Sequence, residues 1–351
     1  MTAAKKKNSR RKQARFRSSR RKRIRNTVLL LFLLVVLGGT GIGAIYVLRN
    51  GTVFDKLEEA YVASIEFSGG ITDLDSLRTD GFAKNLCVVV SDVPMDGVSL
   101  GENQKGLLLD LDDRKVLYSK QALQKVYPAS ITKIMTAMLA LKYGNMDDVV
   151  TITQENLNLE EGSQVCGFWA GDQVTLDQLL HCLLVYSGND AAAAIAEHVG
   201  GSTEGFVEMM NSYARELGCT GTHFTNPHGL QDENHYTTPY DIYLMLKEAL
   251  NYPEFTQITQ SGSYTVEYTH ADGSSASTTL LATDHYLTGE ATPPKNVTIL
   301  GGKTGTTDNA GNCLALLSQN AYGKPYISIV MGASTKDELY EQMSSLLQNI
   351  N

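Results

Sequence analysis

The chain of 351 residues has little cysteine, five in all, at Cys87, Cys166, Cys182, Cys219 and Cys313. Their odd number leaves at least one unpaired, and their scatter excludes a disulfide-built scaffold; a single disulfide stays open, with nothing to select the pair. Cys182, among apolar residues of a predicted helix, reads as a small buried hydrophobe. No Cys-x-x-Cys and no His-Glu-x-x-His occurs, so the commonest metal-site patterns are missing. His223, His228 and His235 are loosely spaced, and His228, between Pro227 and Gly229, reads as a turn residue. No metal and no cofactor is expected, and no internal repeat is found. Acidic residues are absent from the first 25 positions, which hold 13 of the 30 Lys and Arg. The remainder carries 17 cations against 38 acids, a net of −21.

A basic run of that kind could be a nucleic-acid arm, but its neighbour argues otherwise. Residues 27–48 carry no charge, are rich in Leu and Val, and end at Arg49. That length spans a bilayer. The cations on its N-terminal flank place the N-terminus in the cytoplasm and the acidic remainder outside. The expected organisation is a basic cytoplasmic tail (1–26), a transmembrane helix (27–48), an extracytoplasmic stalk (49–84) and a folded domain (85–351) at the cell membrane, with no nucleic-acid partner. A cleavable signal peptide is the alternative, since Gly41-Ile42-Gly43-Ala44 offers small residues, but the apolar stretch exceeds the usual signal-peptide core. With 42% apolar residues the rest can bury a sizeable core.

Within the domain, β-rich segments are predicted from Cys87 to Val90 and in a hairpin of Gly106–Leu111 with Val116–Tyr118. Helices are predicted from Ser130 to about Tyr143, at Leu176–Val185, Ala191–His198, Glu204–Leu217 and about Pro239–Asn251. Strands return at Cys313–Leu317 and Tyr326–Met331, and a helix over 336–347 closes the chain. Residues 260–298 show no clear pattern. Strands at both ends enclosing helices give an α/β domain whose sheet joins the two terminal segments.

Three short motifs carry chemistry. Ser130 and Lys133 stand three apart at a helix start, so the Lys amine can reach the Ser hydroxyl, and the helix end stabilises negative charge beside it. Burial and a second cation would lower the Lys133 pKa enough for it to act as a base. Ser-x-x-Lys alone is a weak pattern. Ser187-Gly188-Asn189, at a helix end, suits a turn that presents a hydroxyl and an amide into a cleft. Lys303-Thr304-Gly305 falls on a predicted strand, where glycine lets a ligand approach the backbone.

Ser-x-x-Lys, Ser-x-Asn and Lys-Thr-Gly in this order resemble the motif set of the penicillin-recognising serine enzymes. The resemblance narrows to the D-alanyl-D-alanine carboxypeptidases of the low-molecular-mass penicillin-binding proteins, peptidase family S11, over roughly residues 104–348. It rests on Pro128–Thr136, Ser187–Ala192, Lys303–Gly305 with Ala310–Cys313, and on Thr222–Leu230 and His235–Thr238 between them. It implies a β-lactamase/transpeptidase-like fold, an antiparallel sheet flanked by helices with a helical subdomain. It implies that Ser130 attacks the bond between the two terminal D-alanines of a peptidoglycan stem pentapeptide, with Lys133 taking its proton and Ser187 relaying that proton to the leaving amine. Asn189 would bind the substrate's backbone amide, Lys303 and Thr304 its terminal carboxylate, and Gly305 would let the peptide approach. The amides of Ser130 and Thr306 would form the oxyanion hole, and β-lactams would be covalent inhibitors.

Thr306 stands where some relatives have histidine. The chain ends about 45 residues beyond Lys303, so a β-rich C-terminal domain and amphipathic anchor are not expected, and the N-terminal span would replace that anchor. Leu280–Leu287 lacks an asparagine pair that many relatives carry. Two other functions compete. A β-lactamase would need a deacylating glutamate in Glu-x-x-Leu-Asn, and Glu248-Ala249-Leu250-Asn251 is one residue short. A non-catalytic receptor for muropeptides or β-lactams would keep the fold and signal through the basic tail, which is too short for a signalling domain.

Overall fold

The computed structural model describes residues 85–350; the predicted tail, membrane span and stalk lie outside the described residues. Among the described residues no helix is long and apolar enough to cross a membrane. The main sheet is antiparallel with the order β2-β1-β9-β8-β7, where β1 is Lys105–Asp110, β2 Lys115–Lys120, β7 Thr298–Thr307, β8 Gly311–Gln319 and β9 Pro325–Ala333. It joins the two ends of the domain, as expected from the sequence. The continuous apolar runs in β8 and β9 arise because both faces of the sheet are covered. Leu107, Leu109, Ala315, Ile329 and Met331 enter one core, while Leu108, Leu314, Leu316 and Val330 enter the other. The alternation along each strand assigns its side chains to opposite layers.

One layer is the closing helix, which packs Leu339, Met343, Leu346 and Leu347 on the sheet. It spans Lys336–Leu347 and is capped by Thr335, whose side chain accepts from the Glu338 amide. The other layer is helical. It contains α1 (Lys133–Tyr143), α2 (Leu176–His181), α3 (Asn189–Gly200), α4 (Thr203–Glu216), α5 (Pro239–Ala249) and the short α6 (Pro253–Thr259). Beyond α6 a turn of helix, α7 (His285–Thr288), leads to β7, and the closing helix is α8. Burial of Ile134, Met135, Met138 and Leu139 fixes α1 at the centre of this layer; each such side chain contributes roughly 1.5–3 kcal/mol on leaving water.

Three differences from the sequence reading have physical causes. Residues 87–90 form no strand; the Cys87 amide is taken by the Tyr243 hydroxyl at 2.9 Å, and only Val93 bridges to Ser119. Residues 260–298 are not irregular. They carry the hairpin of β5 (Ser263–Thr269) and β6 (Ser275–Leu281), which joins β3 (Val149–Thr151) and β4 (Gln173–Thr175) in a second sheet. β5 does alternate, turning Tyr264, Val266 and Tyr268 to the core between Ser, Thr and Glu, a pattern the sequence reading overlooked, whereas its partner β6 is Ser- and Thr-rich and puts only Ala276, Thr278 and Leu280 on that face. Finally, Ser130 does not begin an α-helix. It sits in a 3₁₀ turn, Ala129–Thr132, that feeds α1.

Candidate active site

Three chain segments converge on Ser130. Its turn is held by the Ile131 amide donating to Pro128 O at 3.1 Å, with Ala129 at φ 47°, a left-handed conformation that costs a non-glycine residue energy. Gly229, at φ 89°, passes so close that a Cβ there would lie 1.9 Å from Ala129 O, so only glycine fits. Gly305 on β7 lies against the same turn; a Cβ would sit 3.0 Å from both Pro128 O and the Ser130 amide. The strand thus brings its backbone directly beside the Ser130 N–H.

Lys133, the first residue of α1, is fully buried. Its Nζ donates to Ser130 Oγ at 3.0 Å, Asn189 Oδ1 at 2.6 Å and His228 O at 2.8 Å. Burial lowers its pKa well below the ordinary lysine value, and the nearby Lys303 lowers it further. The Asn189 and His228 oxygens can only accept. A neutral Lys133 therefore keeps two N–H bonds to them and has its lone pair left for the Ser130 hydroxyl, the geometry a general base needs.

The loop that supplies the His228 carbonyl is tightly tied. His235 Nδ1 accepts from the Thr225 amide at 3.0 Å, so the proton is on Nε2, which donates to Thr132 Oγ1 at 2.8 Å. Thr136 Oγ1 donates to Pro227 O at 2.5 Å, and Asn226 Oδ1 accepts from the Gly229 amide at 2.7 Å. Burial pushes the His235 pKa down to about 4 and that of His228 to about 3, keeping both rings neutral. Among the described residues no cluster of three His, Cys, Asp or Glu is placed to hold a metal.

Ser187 ends a π-helical turn (Cys182–Tyr186) in the left-handed conformation, φ 70°, and Asn189 opens α3. Gly188 packs closely on Cys166; a Cβ there would lie 2.3 Å from Cys166 Sγ, so a larger residue would force that side chain to move. The Asn189 amide donates to Gln164 O at 2.8 Å, which joins the 162–164 loop to this turn. Lys303, with only 2% of its surface exposed, donates to Ser187 Oγ at 2.9 Å and to Thr304 O at 3.0 Å. Its burial lowers its pKa to about 7. Thr304 Oγ1 meets Thr283 Oγ1 at 2.5 Å, and Thr306 Oγ1 donates to Asn312 Oδ1 at 3.2 Å.

The structure therefore brings together the residues of the three motifs singled out from the sequence. A cleft of about 320 Å³ is lined by Ser130, Ser187, Asn189, Thr304, Gly305 and Thr306, with Lys133 and Lys303 buried behind it. Sequence reasoning missed the His228 carbonyl and the Thr132–His235 bond, although Thr222–Leu230 and His235–Thr238 resemble the family there without an assigned role. It also missed Lys336, the charged side chain in the cleft lining, which comes from the first turn of α8. Glu248 stands apart from the lining. It accepts from the Tyr213 hydroxyl at 2.8 Å and from Asn251 Nδ2 at 2.9 Å, so no deacylating glutamate of that position faces Ser130.

Comparison with known proteins decides the family: the D-alanyl-D-alanine carboxypeptidase family, peptidase S11, matches residues 101–335. The chain belongs to that family. This S11 member is 36% identical over 251 residues to a D-alanyl-D-alanine carboxypeptidase of Bacillus subtilis, an alignment covering 70% of this chain and 61% of the relative. It spans about three-fifths of that relative's length. Its fold is similar to the Streptomyces K15 DD-transpeptidase, with a TM-score of 0.65, 27% identity, and 74% and 98% of the two chains covered. It is also similar to the structure of a D-alanyl-D-alanine carboxypeptidase from Mycobacterium tuberculosis, with a TM-score of 0.63, 28% identity, and 73% and 92% covered.

Proposed function

We propose that this S11 member is a penicillin-sensitive serine D-Ala-D-Ala carboxypeptidase that removes the terminal D-alanine from peptidoglycan stem peptides. The observation that carries the reading is Lys133 Nζ set among Ser130 Oγ, Asn189 Oδ1 and His228 O. Ser130 Oγ attacks the penultimate D-alanyl carbonyl while its proton passes to Lys133. The oxyanion forms against the Ser130 and Thr306 amides, where a charge developing in a dry site is stabilised most. The proton reaches the leaving amine through Ser187, D-alanine departs, and water hydrolyses the acyl-enzyme.

Asn189 Oδ1 is engaged by Lys133, which leaves Nδ2 to donate to a substrate carbonyl. Thr304 and the buried Lys303 behind it form the terminal-carboxylate site, with Lys336 adding positive charge at the cleft edge. The N-terminal span anchors the chain in the cell membrane with its N-terminus in the cytoplasm and the cleft outside, which is where the substrate lies. The support is the uncharged stretch of residues 27–48 between a basic flank and an acidic remainder.

The test is D-alanine release from a stem pentapeptide by the full chain in detergent. Release that is lost in Ser130→Ala and blocked by penicillin supports the reading. Penicillin labelling of Ser130 without any release would instead favour a receptor.

A further inference from the structure

A groove of about 660 Å³, roughly twice the cleft, opens at the end of the main sheet where β7 turns into β8, β1 begins and β9 ends. Two of its walls are continuations of walls of the cleft. The β7–β8 turn gives Thr306, Thr307 and Asn312 to the cleft and Asp308–Gly311 to the groove. The loop after α4 gives Gly229 and Leu230 to the cleft and Glu233 and Tyr236 to the groove. The segment that ends in Ser130 supplies Lys125 and Tyr127.

The polarity of the cleft points a bound peptide into this groove. On the proposed function, the terminal carboxylate lies at Lys303 and Thr304 and the scissile carbonyl at the Ser130 and Thr306 amides. That order runs along β7 towards its C-terminal end, so the acyl part of the substrate continues past Thr307 to Asp308 and the groove. The groove is polar and aromatic rather than greasy. Lys125 Nζ rests 3.6 Å from the Tyr236 ring centroid, which fixes one cation on the wall, and Lys105 contributes a second. Glu233 and Asp308 provide the opposite charge.

We infer that the groove is a second substrate site, which holds the upstream half of the stem peptide and the muramyl sugar that bears it. A stem peptide suits this charge pattern. Its γ-linked glutamyl residue leaves an α-carboxylate free for Lys105 and Lys125, and a free amine of its diamino acid matches Glu233 and Asp308. The sugar lies by Tyr127. This assignment rests on the carboxypeptidase reading and extends it from a D-Ala-D-Ala end to a muramyl-peptide substrate.

The experiment compares two substrates on the full chain: N-acetylmuramyl-pentapeptide, and an acetylated tripeptide that ends in D-Ala-D-Ala and reaches only the cleft. In a Lys105→Ala/Lys125→Ala variant, kcat/KM for the muramyl substrate falls about tenfold, chiefly through KM, as loss of charge-assisted hydrogen bonds does. The tripeptide, which serves as the control for folding, stays unchanged. N-acetylmuramyl-L-alanyl-D-glutamate, which keeps the glutamyl α-carboxylate and has no D-alanyl end, competes with the long substrate in the unmodified protein and not in the variant. Equal losses on both substrates, or no loss on either, overturn the groove assignment. If the unmodified protein releases D-alanine from neither substrate, the carboxypeptidase reading falls, and the groove with it.

Discussion

The carbonyl oxygen of His228 accepts a hydrogen bond from Lys133 Nζ at 2.8 Å, across 95 residues of sequence. Together with Asn189 Oδ1 it fixes two of the three amine directions, so the third meets Ser130 Oγ. On the proposed function, the amine that activates Ser130 is thus aimed by a backbone carbonyl as much as by a side chain. That carbonyl is in turn held by Thr132, Thr136, Asn226 and His235.

Acylation should rise with pH as Lys133 loses its proton. Lys303 lowers the Lys133 pKa, so Lys303→Gln raises it and moves the ascending limb to higher pH. Because Lys303 itself loses its proton near pH 7, the normalised profiles converge above that value. Second-order acylation rates with a penicillin, measured from pH 5 to 9, check this. A limb that stays in place would show that the two lysines are not coupled.

Gly305→Ala places a methyl 3.0 Å from Pro128 O and the Ser130 amide. The turn must shift by a few tenths of an ångström, and we expect acylation to fall by as much as roughly 100-fold, since small displacements of reacting groups carry such costs. The melting temperature should change little by comparison. Gly229→Ala, with its φ of 89° and a contact of 1.9 Å to backbone, should lower both. Paired thermal melts and acylation rates separate the two outcomes.

Acid should destabilise the domain through its buried histidines. The folded-state pKa of His235 is about 4 and that of His228 about 3, both below the ordinary value of 6.5. Between about pH 6.5 and 4 the unfolded chain binds more protons, so stability falls as pH falls through that window. For His235 alone the loss is of order 3 kcal/mol. His235→Gln keeps a donor and an acceptor without the titration, so it should flatten the fall in urea midpoint from pH 6.5 to 4. Parallel slopes in the two proteins would contradict the assignment.

The membrane assignment makes its own prediction. The full chain should sediment with membranes, resist extraction by high salt and dissolve in detergent, whereas removal of residues 1–50 should free it. Salt extraction of the intact chain would show a peripheral, charge-based attachment instead.

Much of this was legible because the motifs carry their own local geometry. Ser130, Lys133, Ser187, Asn189, Lys303 and Thr304 were found by order and spacing, and the strands and helices with strong apolar patterns, β8, β9 and α8, fell near their predicted bounds. What stayed hidden depends on contacts between distant segments. The His228 carbonyl is a backbone atom, which no residue type announces. The 3₁₀ turn at Ser130 packs against Gly229 and Gly305, 99 and 175 positions away, which no local pattern announces. The β5–β6 hairpin was legible only in half: β5 alternates Tyr264, Val266 and Tyr268 with polar residues, but the inward face of β6 is Ala276, Thr278 and Leu280, which gives no comparable apolar signal to pair with it.

The central claim is most directly tested by rapid mixing of the full chain with a stem pentapeptide, followed by intact-mass analysis and D-alanine assay. The account predicts a tetrapeptidyl adduct on Ser130, formed with one D-alanine released per molecule and absent from both Ser130→Ala and Lys133→Ala. Release of D-alanine that persists in Ser130→Ala with no covalent adduct would contradict it.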